Sequence, residues 1–200
     1  MAEKITIEIF RKKLPEELTK ALAEADSRTD IGSGAALSAA CAAAYLIRAA
    51  ALTAQEQGSS DQLDYLQRNG EILRAYMVHL IDEDVKSRGP LRKALKEGDE
   101  QVIDAARQPA AAVANEIINM MNQLLELLEQ LSALCSADAR RFVAASADLA
   151  MGAIRASMRY VLDLGAKSSD ETYRFVVRRE NEITLDNCRA LYDRVLKKVE

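Results

Sequence analysis

The sequence contains few residues that interrupt helices. Only three prolines and eight glycines occur among its 200 residues, and no stretch alternates polar and apolar residues for long enough to predict a strand. The sequence therefore predicts an all-α protein. Its length suits one sizeable core, so we expect a single domain over residues 1–200.

Cysteine and histidine are also scarce. Cys41, Cys135 and Cys188 lie far apart and form no Cys-x-x-Cys pair, so neither a disulfide framework nor a thiolate metal site is indicated. One histidine with scattered carboxylates does not supply a metal ligand set. No basic segment followed by an apolar one opens the chain, so no secretory signal is expected. We predict no metal, reduced thiols and a cytoplasmic protein.

The charge is nearly balanced, with 27 Lys and Arg against 31 Asp and Glu. A net charge of −4 gives no global attraction to nucleic acid or to an anionic membrane, and we predict neither as a partner. The apolar run over residues 33–54 is long enough to span a bilayer. Because it is mostly alanine and contains Arg48, it indicates a buried helix of a soluble protein.

Start and stop signals divide the chain into helices. We expect a first helix over residues 6–25, bent near Pro15, and a second from the alanine-rich segment to residue 57. A third should begin at a capping box at Ser59 and end at 86, and a short fourth should cover 99–107, before Pro109. Two more are expected over 136–164 and from a second capping box at 168–171 almost to 200. Helices of about thirty residues would be ~45 Å long. They predict an elongated multi-helix bundle that buries its surplus apolar face in a homodimer.

A heptad-like seam follows Pro109 and ends before the segment over residues 136–164. Its members recur at alternating steps of four and three: Val113, Ile117, Met120, Leu124, Leu127, Leu131 and Leu134. Such a stripe usually belongs to a core or a subunit interface, and seldom to a cofactor site.

Gly32, Ser33 and Gly34 precede a helix in which ten of the seventeen residues from 35 to 51 are alanine. Glycine lets the backbone approach a ligand closely, and the amides at a helix N-terminus attract polar or anionic groups. An alanine face permits short distances between helix axes. In the competing interpretation, the glycines only punctuate a loop and the serine only caps the helix.

Titratable groups are densest around His79 and the acidic residues at 82–84. A carboxylate three or four positions along a helix could orient the imidazole for proton transfer, although such clusters are often solvated faces. Asp138 lies at the start of the penultimate helix, where the helix dipole favours a carboxylate. Arg155 and Arg159, one turn apart, could hold a dianion or could simply be surface residues.

Over nearly the whole chain, and in the same order, these segments resemble those of the formiminotetrahydrofolate cyclodeaminase and methenyltetrahydrofolate cyclohydrolase family. The family's Pro-Gly-Gly-Gly-Ser turn before an alanine-rich helix is similar to residues 29–33, where the final Gly-Ser is retained. The family's Asp-x-Asp-Ala-x-Ala-Phe pattern is similar to residues 82–88. Both aspartates of that pattern are retained, and Arg88 replaces the phenylalanine.

Two later segments extend the resemblance. The family's Ser-Asp falls on residues 137–138, and its Gly-Ala falls on 152–153. Its Asn-Val-x-x-Asn-Leu falls on residues 156–161, where Ala156 and Tyr160 stand in place of the asparagines. Amide side chains can bond the donor and acceptor edge of a pterin. Alanine cannot do this, and tyrosine would do so differently.

The resemblance implies an all-helical homodimer that acts on a reduced folate without a metal or redox cofactor. The reaction would be hydrolysis of a methenyl bridge or release of ammonia from a formimino group. Both reactions need proton transfer at a one-carbon centre. The implied acid and base is Asp84, assisted by Asp82. The implied substrate-binding residues are Gly32, Ser33, Gly34 and Asp138.

Two other functions compete with this one. A redirected or catalytically degenerate relative would keep the helical dimer and bind another ligand or none, with Arg88, Arg155, Arg159 and Tyr160 in place of neutral family residues. A scaffold bundle would recognise another protein through the heptad-like seam, and this requires an exposed seam.

Overall fold

The computed structural model describes residues 15–25 and 27–200. Every regular element within these residues is helical, which confirms the predicted all-α bundle. Residues 6–14 of the predicted first helix lie outside the described part. The helices are α1 (Pro15–Ala23), α2 (Ile31–Gln57), α3 (Asp61–Ser87), α4 (Gly89–Glu97), α5 (Glu100–Ser132), α6 (Arg140–Ala166) and α7 (Glu171–Val199), and a 3₁₀ turn, Ala137–Ala139, precedes α6.

Side chains cap the starts of α3 and α7, at residues slightly later than predicted. Ser60, rather than Ser59, caps α3, and its hydroxyl accepts the amide of Leu63 at 3.3 Å. Asp170, two positions after the predicted start, caps α7 by accepting the amide of Tyr173 at 3.0 Å. In each case an oxygen one or two positions further along reaches an amide that the helix leaves unpaired.

Pro109 lies inside α5, so the prediction that it follows a separate short helix is wrong. A proline removes the hydrogen bond to the carbonyl four residues earlier, here that of Ala105. Both residues are exposed. Water can therefore satisfy this carbonyl, and the helix continues for 33 residues.

Helix α2 lies in the core and packs against both α3 and α6. Ala39, Ala43 and Ala50 are fully buried, and their small side chains allow close approach of the neighbouring helices. Of the described helices, α2 is the one long and apolar enough to cross a membrane, by length and composition alone. Half of its most apolar stretch is buried inside the bundle.

The heptad-like seam of α5 also belongs to the core. Ile117, Leu124 and Leu131 are fully buried, because α5 packs against α3, α6 and α7 of the same chain. A seam that its own chain already covers is not available to another protein. The hypothesis of a scaffold that recognises a partner through this seam is therefore wrong.

Candidate functional site

The segment 32–34 forms the first turn of α2, not a turn before it. The helix begins at Ile31, whose amide is accepted by the carboxylate of Asp30 at 2.7 Å. Within the described residues, positive φ angles occur at Gly58 and Gly98. The predicted glycine-lined turn is thus wrong, and so is the interpretation of its serine as the helix cap. An aspartate directly before an apolar helix is a signal that could have located this start.

Asp84 joins the end of α3 to the first turn of α2. Its Oδ2 accepts two hydrogen bonds from Ser33, one from the amide at 2.9 Å and one from the hydroxyl at 2.7 Å. Both side chains are fully buried. The carboxylate satisfies one of the amides that every helix leaves unpaired at its N-terminus. The predicted proximity of this segment to the acidic end of α3 is confirmed.

Gly32 makes this contact possible. A Cβ built on Gly32 would lie 2.6 Å from Cγ of Asp84 and closer still to Oδ1. No side chain fits there without displacing the carboxylate. At Gly34 an added Cβ would meet only Leu22, at 3.8 Å. The structure therefore requires glycine at position 32 and does not require it at position 34.

Burial raises the pKa of Asp84 above its ordinary value, although the hydrogen bonds from Ser33 and the charge of Arg88 oppose the rise. Oδ1 is buried and has no hydrogen-bond partner among the described residues. Since Ser33 occupies Oδ2, the proton of the neutral acid belongs on Oδ1. Oδ2 is therefore fixed by two hydrogen bonds from Ser33, whereas Oδ1 forms no hydrogen bond with any described residue.

Arg88 extends the cluster beyond the end of α3. Its Nη2 forms an ion pair with Asp30, the cap of α2, and its guanidinium lies over the ring of Tyr160, 5.5 Å from the centroid. Burial raises the pKa of Tyr160 to about 12. Asp84 on α3, Arg88 between α3 and α4, and Tyr160 on α6 thus form one cluster.

The matches to known proteins agree with the resemblance found in the sequence. The family model described as formiminotransferase-cyclodeaminase matches residues 15–182. This chain belongs to the formiminotransferase-cyclodeaminase family. No curated protein sequence matches significantly.

A solved member of similar fold supports the assignment. The crystal structure of formiminotetrahydrofolate cyclodeaminase from Thermotoga maritima superposes with a TM-score of 0.86 and is 24% identical in sequence. The match covers 94% of this chain and 96% of the other. At this identity the likeness shows a shared fold. The fold includes the helices that place Asp84 against the start of α2.

Two other predicted site residues, Asp82 and Asp138, take no part in the hydrogen bonds between Asp84 and Ser33. Asp82 is buried, at 5% exposed, but residues two apart on a helix do not face the same direction. Asp138 lies in the 3₁₀ turn before α6 and is exposed. Their assigned roles in catalysis and in substrate binding stay predictions.

The other charged candidates lie at the surface. His79 and Glu83 stand one turn apart on α3 with Nε2 and Oε1 3.5 Å apart, and the histidine side chain is 45% exposed. Arg155 and Arg159 are exposed on α6. Neither pair adds a group to the Asp84 cluster.

Within the described residues, no group of three or more His, Cys, Asp and Glu side chains could hold a metal ion. A groove of about 870 Å³ lies elsewhere, between the start of α5 and the connection from α6 to α7. Asp104, Arg107 and Ser169 line it. The Asp84 cluster is instead enclosed in the bundle.

Proposed function

We propose that this member of the family is a one-carbon folate enzyme. It would hydrolyse 5,10-methenyltetrahydrofolate to 10-formyltetrahydrofolate or remove ammonia from 5-formiminotetrahydrofolate. The observation that carries the proposal is the contact between Asp84 and Ser33. It joins the two segments that resemble the family's most distinctive motifs, and it leaves one buried carboxyl oxygen without a protein partner.

The proposed chemistry is general acid and base catalysis by Asp84. A raised pKa keeps a larger fraction of the carboxyl protonated near neutral pH, which suits a group that must donate a proton and then take one back. Ser33 holds Oδ2 and so directs the reacting oxygen, Oδ1. Asp82 would assist. The proposal needs no metal or redox cofactor.

Substrate binding is assigned to the start of α2 and to Asp138. The amides of Ile31, Ser33 and Gly34 already have acceptors within the described residues. We therefore assign the contact with the substrate to the amide of Gly32. Gly34 and the Ser33 hydroxyl would form the surrounding surface of the site. Asp138 would orient the pterin only from a second copy of the chain, because the amide of Ser136, beside its own turn, donates to Thr53, 20 residues along α2 from Ser33.

A homodimer in the cytoplasm is part of the proposal. Large apolar side chains are exposed on the outer face of α7, where Phe175 is 71% and Ile183 is 47% exposed. Exposed apolar area of this kind favours a subunit contact. Light scattering should give twice the 22.0 kDa mass of the chain, and a monomer at micromolar concentration would contradict this part.

The decisive variant is Asp84→Asn. The amide oxygen can still accept both bonds from Ser33, so the fold should persist, but the variant has no titratable proton. We expect turnover of methenyl-folate or formimino-folate to fall by roughly 100-fold or more. Loss of the methenyl absorbance and release of ammonia measure the two reactions.

The matched control for this experiment is Asp186→Asn on α7, where the side chain is 78% exposed. It makes the same chemical change and should leave the rate unaltered. A thermal melt confirms that both variants are folded. A wild-type rate in Asp84→Asn rejects the assignment.

One observation favours the second candidate, a relative that has changed its ligand. Arg88 and Tyr160, which replace neutral residues of the family pattern, lie together beside Asp84. Calorimetry with a reduced folate separates the two functions. Micromolar binding supports the enzyme, whereas no heat at millimolar ligand favours the redirected relative.

A further inference from the structure

Several donors beside Asp84 are buried without a hydrogen-bond partner among the described residues. They are Nε and Nη1 of Arg88 and the hydroxyl of Tyr160. The arginine side chain is 14% exposed and the tyrosine is 7% exposed. Buried charged donors are rarely unpaired, because removal from water is unfavourable unless an acceptor replaces it. These donors therefore indicate an acceptor that the described part of the fold does not supply.

The donors are held in place. The third guanidinium nitrogen of Arg88 pairs with Asp30, which itself caps α2. The guanidinium also lies over the ring of Tyr160, and this contact favours one orientation of the two groups. The donor atoms are thus positioned before any ligand binds, which reduces the ordering that binding requires.

Positive charge is crowded at the same place. Burial lowers the pKa of Arg92, and the nearby charges of Arg88 and Arg28 lower it further, against the smaller opposing effect of Asp84. Arg28 and Arg92 form no ion pair with any described residue, so Asp30 is the partner of one arginine out of three. The N-terminus of α4 follows directly and has no side-chain cap, and it adds positive potential.

We propose that Arg88, Arg92 and Tyr160 form a binding site for a small oxyanion, a carboxylate or a phosphate, beside Asp84. Guanidinium and phenol donors match the acceptor oxygens of such a group. The replacements of phenylalanine by Arg88 and of asparagine by Tyr160 then act as one unit. This site extends beyond the proposed folate chemistry and does not depend on it.

The test measures binding of inorganic phosphate and of acetate to the purified protein, by calorimetry at constant ionic strength with chloride as the balancing anion. We expect saturable binding of at least one of them. Arg88→Met should weaken it by at least about tenfold and Tyr160→Phe by a smaller factor. Arg159→Met removes the same charge from the exposed face of α6 and should change it less than about twofold.

The two anions separate the sources of the ligand. Tighter binding of phosphate indicates a phosphorylated ligand, and tighter binding of acetate indicates a carboxylate. Absence of saturable binding for both anions overturns the proposal, as does equal weakening by Arg88→Met and Arg159→Met. Because no folate is present, a failure here is distinct from a failure of the turnover assay.

A second measurement covers the case in which Arg88→Met does not fold. The arginine Nε–H resonance that is lost in Arg88→Lys identifies Arg88 in the wild-type spectrum. It should shift saturably with phosphate or acetate and not with chloride. A resonance that does not move with any of the three anions overturns the proposal.

Discussion

Two carboxylates in this bundle receive the same pair of donors from a serine, yet their environments differ. Asp84 accepts the amide and the hydroxyl of Ser33, and Asp104 accepts the amide and the hydroxyl of Ser169. In both cases a side chain on one helix satisfies the backbone where another helix or connection begins. Sequence spacing does not relate the pairs, which are separated by 51 and 65 residues.

The two carboxylates differ in how many of their oxygens accept hydrogen bonds. Asp104 uses both oxygens, takes a further bond from Arg107 at 2.8 Å, and is partly exposed. The hydrogen bonds from Ser169 lower its pKa to about 2. Asp84 receives both serine bonds on one oxygen, its other oxygen has no partner among the described residues, and burial raises its pKa.

The same hydrogen-bond motif therefore occurs in two environments, which shift the carboxyl pKa in opposite directions. Where water and an arginine complete the shell, the ionised carboxylate is a clamp between α5 and the connection before α7. Where burial removes water and one oxygen has no partner among the described residues, the pKa of the carboxyl is raised instead. The groove of about 870 Å³ lies at the clamp and not at Asp84.

The largest expected effect comes from closing the space between α2 and α3. Gly32→Ala places a Cβ against the carboxyl of Asp84, and we expect a loss of about 1–3 kcal/mol in the free energy of unfolding together with loss of turnover. Gly34→Ala is the matched control, because its Cβ meets only Leu22 at an ordinary distance. It should stabilise the helix by up to about 1 kcal/mol. Urea denaturation measures both, and equal stabilities would contradict the close contact.

The sequence predicted the helical class and most helix positions because apolar spacing, glycine and proline report on local structure. It also predicted that residues 32–34 and the acidic end of α3 approach each other, since the family resemblance relates the two segments. It misplaced the caps by one or two residues. Hydroxyls and carboxylates at neighbouring positions compete for unpaired amides. At the start of α7 the predicted cap, Ser168, accepts the amide of Asp170, and Asp170 caps the helix instead.

The remainder of the site could not be predicted from spacing. The ion pair between Arg88 and Asp30 joins residues 58 positions apart, and its contact with Tyr160 spans 72 more. The sequence marked Arg88 and Tyr160 as departures from the family pattern but contained no signal that they meet. Pro109 shows that a local signal can also mislead. Proline predicted the end of a helix, but α5 continues through it because water can reach the unpaired carbonyl.

A smaller effect should separate the two serines. Ser33→Ala removes a hydrogen bond from a carboxylate that water does not reach, so we expect a loss of about 1–3 kcal/mol in the free energy of unfolding. Ser169→Ala removes the equivalent bond from a partly exposed carboxylate, where water can replace the hydroxyl, and should cost less. Denaturant midpoints of the two variants give the comparison. A larger loss for Ser169→Ala would show that burial does not distinguish the pairs.

The smallest expected effect is a pH dependence of opposite sign at the two carboxylates. The pKa of Asp84 is raised above 3.8 in the folded protein, so its contribution to stability is present below pH 3.8 and is lost as the pH rises through the folded pKa. The pKa of Asp104 is lowered to about 2, so its contribution is present above pH 3.8 and is lost as the pH falls towards 2.

Substitution of each aspartate by asparagine, which does not titrate, tests these opposite pH dependences of stability. The difference in melting temperature between wild type and Asp84→Asn should shift in favour of the variant as the pH rises from 4 to 8. The difference between wild type and Asp104→Asn should shift in favour of the variant as the pH falls from 4 to 2.5. Parallel trends in the two variants would mean that burial does not control the protonation of Asp84, and the proton transfer assigned to it would lose its physical basis.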